Sequence, residues 1–258
     1  MKRIIPVLLV SDGGLVKSVR FKKHKYIGDP INAVKIFNEK EVDEIVILDI
    51  DATKEGRPPN IGMIKEIASE AFMPLSYGGG ISSIDQVKSI LFEGVEKVVF
   101  NNSTIYNTKL ISETAERFGS SSTVVSMDVK RNFWGKQKLY LYAKNKVTGV
   151  DIIEHAQKME RLGAGELFVT SVDNDGTFDG YDIELTHKIA SSVSIPVIAC
   201  GGAATDKDLA KVIVEGKASA AAAGSMFVYQ NRNRAVLINY PSWNEIQSKI
   251  KDYNSIND

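Results

Sequence analysis

PLSYGGGISS (residues 74–83) and PVIACGGAATD (residues 196–206) are two versions of one device within a single chain. In each, a proline leads a short apolar run into a pair of glycines, and a hydroxyl residue then opens a helical pattern. The shift of 122 residues that lays Pro74 on Pro196 also lays Gly79 and Gly80 on Gly201 and Gly202, Glu93-Gly94 on Glu215-Gly216, and Ser103 on Ser225. It lays Glu44 on Glu166 and Asp51 on Asp173 as well. Glycines recur in strand-to-helix turns and would explain any one match, but not one spacing held over nearly the whole length. The repeat predicts two half-barrels, about 1–122 and 123–258, of four strand–helix units each.

Working outward, short β-branched runs fall at 4–10, 44–50, 73–79, 97–102, 123–129, 166–173, 195–202 and 218–225. Helical stretches lie between them, with start signals at Asp29-Pro30, Ser82-Ser83 and Thr205-Asp206. Eight such units in a chain of 258 residues predict an α/β fold, a (β/α)8 TIM barrel in one domain, 1–258, with a doubly wound open sheet as the alternative. Residues 131–147, RNFWGKQKLYLYAKNKV, alternate apolar and polar positions around a glycine and predict a β-hairpin inserted after strand five.

Lys+Arg and Asp+Glu both number 32, so no overall field draws the chain to nucleic acid or anionic lipid. No apolar run reaches the roughly 18 residues of a membrane span, and the first residues read as mature sequence rather than a leader. The single cysteine, Cys200, excludes an internal disulfide framework and suits a reducing compartment, so the expected location is cytoplasmic. His24, His155 and His187 stand apart, as packing or surface residues rather than ligands, so neither a metal nor a cofactor is indicated.

Glycines between a strand end and a helix start permit close backbone approach, and the first helical turn offers partly positive N–H groups, which suits phosphate. Gly201 and Gly202 with Gly224 and Ser225 mark such a site between strands seven and eight, where barrels commonly hold phosphate. By the repeat, Gly79 and Gly80 with Asn101 and Asn102 mark a twin, so a phosphorylated small molecule is the expected ligand, with tight turns as the plainer reading of both. Asp128 ends strand five inside the mouth, placed either for general acid–base work or for pairing with Lys130 or Arg131. Asp173 and Asp175 fit turn capping equally well. At the opposite end, Arg3, Glu44, Lys97 and Glu166 precede strands one, two, four and six, as a charged floor plug or as solvated flanks.

RIIPVLLVSDGGLVK, DEIVILDIDAT, YGGGI, EKVVFNNS, SMDVKR, LGAGELFVTSVDNDGTFDGYD, PVIACGGA and AAGSMF together resemble HisF, the cyclase subunit of imidazole glycerol phosphate synthase, over almost the whole chain. The resemblance implies a partner glutaminase on the N-terminal face, whose ammonia crosses the barrel to a bisphosphate at the mouth. It implies Asp128 as a catalytic carboxylate and Lys17 as the lysine of a mobile substrate loop. It also implies phosphate-binding turns at Gly79, Gly80, Asn101, Gly201, Gly202, Gly224 and Ser225, and an ammonia gate of Arg3, Glu44, Lys97 and Glu166. Leu9 departs from the pattern, standing where the family places its other catalytic aspartate. That departure, with the ending AVLINYPSWNEIQ, resembles a HisF-like branch that supplies ammonia to a sugar amidotransferase of surface polysaccharide synthesis. Three functions follow as expectations: an ammonia-conducting subunit for sugar amidination, the true cyclase of histidine biosynthesis, or a non-enzymatic phosphate-binding scaffold.

Overall fold

In the computed structural model, which describes residues 2–230 and 235–257, eight parallel strands close on themselves. Numbering the barrel strands alone, these are β1 Arg3–Ser11, β2 Ile45–Asp49, β3 Leu75–Gly78, β4 Lys97–Phe100, β5 Thr123–Arg131, β6 Glu166–Ser171, β7 Val197–Cys200 and β8 Ala220–Ala223. The last pairs with the first, Arg3 opposite Ala220 and Pro6 opposite Ala223. That pairing excludes the open sheet. The outer ends of the 1–258 span, Met1 and Asp258, and residues 231–234 lie outside the described residues.

The strands are nearly continuous apolar runs because both faces are covered. One face meets the helices through Ile4, Leu8, Ile47, Tyr77, Phe100 and Leu167. The other fills the bore with Ile5, Val46, Val124, Phe168, Ile198, Ala220 and Ala222. Start signals read in the sequence are made in the structure: the Asp29 carboxylate accepts from Asn32 N ahead of Pro30, and Ser83 and Thr205 both sit in capping boxes. Ser83 and Thr205 are separated by the repeat spacing.

Two antiparallel ribbons extend the barrel at its mouth. β5 runs on to pair with Gln137–Leu141, Val129 opposite Leu139, and Lys146–Val147 adds a further rung. The second ribbon is absent from the sequence reading: β1 turns at Asp12-Gly13 into Gly14–Val19, which pairs with Lys22–Gly28. Asp-Gly with positive φ at both positions (48° and 73°) is a two-residue hairpin turn, and it was the available signal. The polar run KKHKYIG concealed the strand that follows. No helix among the described residues is long and apolar enough to cross a membrane.

Candidate active site

The strand ends and both ribbons enclose a cavity of about 500 Å³ at the barrel mouth. Asp128 opens into it from β5, which continues three residues further, to Arg131, instead of ending there. Asn101, just past β4, donates from Nδ2 to Asp128 Oδ2 at 3.0 Å. Burial pushes the Asp128 carboxyl up to about 7; the Asn101 hydrogen bond works against that rise and the nearby Asp175 charge adds to it. A carboxyl poised there exchanges a proton readily near neutral pH. Neither expected cation pairs with it: Lys130 lies over the Tyr140 ring, 4.9 Å from its centroid, and Arg131 Nη2 bonds Asp182 Oδ2 at 3.0 Å.

Across the mouth, on the first strand, stands Leu9. It lines the cavity beside Val7 and Leu48, so the wall facing Asp128 is apolar where a second carboxylate would act. Lys17 is buried in strand Gly14–Val19 rather than on an open loop, and its Nζ donates to the carbonyl oxygen of Val7. Burial lowers its amine to about 8, partly opposed by Asp175. The same Nζ lies against Gly224, where an added Cβ would come within 2.6 Å of it. Asp175 also lines the cavity, with its carboxyl raised by burial and held by Ser18 Oγ at 3.1 Å.

The two glycine turns differ in what surrounds them. Gly79, Gly80, Asn101 and Asn102 line the cavity, as do Gly224 and Ser225. Gly201 and Gly202 are buried outside the lining, and Gly180 N donates to Gly202 O at 2.8 Å. A Cβ on Gly79 would meet Asp49 O at 2.4 Å, and one on Gly201 would meet Ser171 O at 2.7 Å. Both glycines have positive φ, 130° and 96°. Tight chain crossing thus accounts for glycine at both turns, whatever binds there.

Further residues complete the wall. Asp49 accepts from Ala52 N at 3.0 Å and holds Arg57 through two bonds of 3.2 and 3.3 Å. Phe21, His24 and Tyr142 come from the ribbons. His24 therefore belongs to the cavity rim, with Nε2 3.5 Å from the Tyr142 hydroxyl. Asp173 takes the Arg131 N–H at 2.9 Å, joining the β6 loop to the ribbon that continues β5.

At the floor, Arg3, Glu44, Lys97 and Glu166 form a closed ring of alternating charge. Arg3 Nη1 lies 2.5 Å from Glu44 and Nη2 2.6 Å from Glu166, while Lys97 Nζ lies 2.9 Å from Glu44 and 3.1 Å from Glu166. Ser76 Oγ donates to Glu44 Oε1 at 2.9 Å. Burial works against the Arg3 charge, but the two glutamates outweigh it and hold the guanidinium above its usual value. The flanking charges turn inward because each cation finds two anions, which offsets desolvation.

Comparison with known proteins agrees with this architecture. The family model described as Histidine biosynthesis protein matches residues 3–233. A protein of Pseudomonas aeruginosa, named provisionally as imidazole glycerol phosphate synthase subunit hisF2, is 46% identical over 95% of this chain and 98% of its own. One of Vibrio vulnificus, named provisionally as subunit hisF3, is 47% identical over 96% of each chain. Imidazole glycerol phosphate synthase subunit HisF of Alkaliphilus metalliredigens is 42% identical over 88% of this chain and 90% of its own. A barrel with this mouth and floor, matched by the family model and by these relatives over nearly its full length, belongs to the HisF family of histidine biosynthesis proteins.

Proposed function

We propose that this chain is the ammonia-conducting subunit of a glutamine amidotransferase complex, receiving ammonia at the barrel floor from a glutaminase and releasing it at the mouth for amidination of a nucleotide-linked sugar. The observation that carries the reading is the pairing of a complete four-charge floor ring with Leu9, near the mouth end of β1. The route is kept while one reacting carboxylate is gone. Above the ring, Ile5, Val46, Ile198 and Ala220 present an apolar bore. Neutral ammonia crosses such a medium at small cost, whereas ammonium, water clusters and other ions lose their solvation. At the mouth, Asp128, with its carboxyl raised to about 7, can take or return a proton on the arriving amine.

A second reading, the cyclase forming imidazole glycerol phosphate, is favoured by the Asn101–Asp128 pair in a cavity lined by Gly79, Gly80, Gly224 and Ser225. It requires another group to act in place of the missing carboxylate at Leu9. Coexpression with a HisH-type glutaminase, with glutamine turnover measured in the assembled complex, tests the first reading; neither binding nor turnover would remove it. Complementation of a histidine auxotroph tests the second, and vigorous growth would reverse the order.

A further inference from the structure

The two ribbons meet across the mouth. The Phe21 ring lies 6.2 Å from Tyr140 and 5.8 Å from Tyr142, edge-on to the latter, and His24 lies 6.1 Å from Tyr142. Phe21, His24 and Tyr142 also line the cavity, so the ribbons form one wall of its outlet.

Their charge is one-sided. Every charged residue of Lys22–Gly28, and every one between 130 and 147, is a cation, in a chain whose net charge is +0. Some are engaged: Arg131 with Asp182, Lys138 at 4.0 Å from Asp151, Lys130 over Tyr140, and Lys144 over Tyr106. Lys22, Lys23, Lys25, Lys136 and Lys146 are exposed, and among the described residues none of them makes an ion pair. At the tip of the ribbon that continues β5, Phe133 and Trp134 are 96% and 79% exposed, with ring centroids 6.0 Å apart. The tip is ordered rather than loose: the Asn132 side chain accepts from Trp134 N at 3.0 Å and from Lys136 N at 2.9 Å. An aromatic pair held in water on a fixed turn is the kind of group that anchors protein interfaces.

We propose that the two ribbons are the docking face of an acidic protein partner, the enzyme that consumes what leaves the mouth, with Phe133 and Trp134 as its apolar anchors. The inference rests on the ammonia-conducting reading and adds the face at which ammonia is handed over. Complementary charge selects the partner, since a surface of Asp and Glu side chains would neutralise the five unpaired lysines. A bilayer or a nucleic acid fits less well. The chain as a whole carries a net charge of +0, so no overall field draws it to a polyanion or to anionic lipid.

The test uses the full chain assembled with a glutaminase and a sugar amidotransferase of the kind the proposed function requires. Two variants are compared with the parent, Phe133→Ser with Trp134→Ser, and Lys22→Glu with Lys23→Glu and Lys136→Glu. All these residues are exposed, so glutamine hydrolysis in the binary complex should be unchanged. Affinity for the amidotransferase should fall by roughly tenfold or more in each variant, with ammonia diverted from the sugar into bulk solvent. Parent affinity should also weaken as salt rises. Unchanged affinity in both variants overturns the docking face, as does a parent chain that does not bind the amidotransferase. Loss in the variants of binding to phosphatidylglycerol vesicles or to a DNA duplex, with amidotransferase binding retained, reassigns the patch and also overturns it. If the parent binds the amidotransferase but transfers no ammonia, the proposed function fails while the docking face stands.

Discussion

Asn101 Nδ2 donates to Asp128 Oδ2 at 3.0 Å, tying the residue just past β4 to β5 inside the mouth. Burial holds the Asp128 carboxyl near 7 despite this bond, against 3.8 for the free group. The folded chain therefore keeps a proton that the unfolded chain gives up. Asp128 contributes stability that is full below 3.8 and is lost as pH rises toward about 7. Asp128→Asn should flatten that part of the stability–pH curve and stabilise the chain by about 1–3 kcal/mol above pH 7, because water in the cavity screens part of the cost of the buried charge. Any proton transfer at the mouth should fall by about 10²- to 10⁴-fold. Thermal unfolding across pH, with activity measured beside it, checks both.

Glu44 is 2% exposed and bonds Arg3, Lys97 and Ser76. Replacing it with alanine leaves two cations sharing only Glu166. The expected cost is about 3–5 kcal/mol, read by denaturant unfolding, because removing one partner leaves buried charge uncompensated. Replacing all four ring residues together by apolar ones of similar volume should cost much less in stability.

Lys17 is held near 8 by burial, against 10.5 for the free amine. Here the unfolded chain binds the extra proton, so this group adds stability as pH rises from about 8 to about 10.5. In Lys17→Met that rise should disappear from the difference curve, and the chain should be more stable below pH 8. Binding of inorganic phosphate, measured calorimetrically, should weaken if the amine serves the Gly224–Ser225 turn, which it adjoins.

Gly202 and Gly13 both have positive φ, 105° and 73°, but differ in surroundings. A Cβ on Gly202 would meet Gly180 O at 2.1 Å, whereas nothing lies within 4 Å of one on Gly13. Gly13→Ala should cost about 1 kcal/mol, the backbone term alone. Gly202→Ala should cost clearly more and shift the 174–180 loop, as unfolding and amide exchange would report.

Leu9→Asp restores a carboxylate facing Asp128. It should raise cyclase turnover toward the about 10²- to 10⁴-fold that a positioned acid–base group supplies, at a cost of about 1–3 kcal/mol for a polar group on an apolar wall. Turnover of the bisphosphate is the measurement, and a complete absence of gain would mean that the phosphate turns have diverged too.

Much of the architecture was legible because it is written locally. Apolar runs at strand spacing, caps at Asp29, Ser83 and Thr205, and the shared spacing of Gly79 with Gly201 each follow from a few neighbouring residues. The ribbon Gly14–Val19 with Lys22–Gly28 escaped because an exposed edge strand pairs through its backbone and needs no apolar alternation, leaving only Asp12-Gly13 to mark it.

By itself, the sequence determined the eight-fold alternation, the identity of the charges at the floor, and the leucine near the mouth end of the first strand. Tertiary structure alone decided their partners. Asp128 meets Asn101 instead of Lys130, because β5 leaves the barrel to join the hairpin and carries Lys130 over Tyr140. Arg3 and Lys97 share Glu44 and Glu166, residues far apart in the chain, because closing β8 onto β1 brings the starts of β1, β2, β4 and β6 around one narrow opening. Partners of this kind depend on distances set by sheet closure, and no short stretch of sequence contains them.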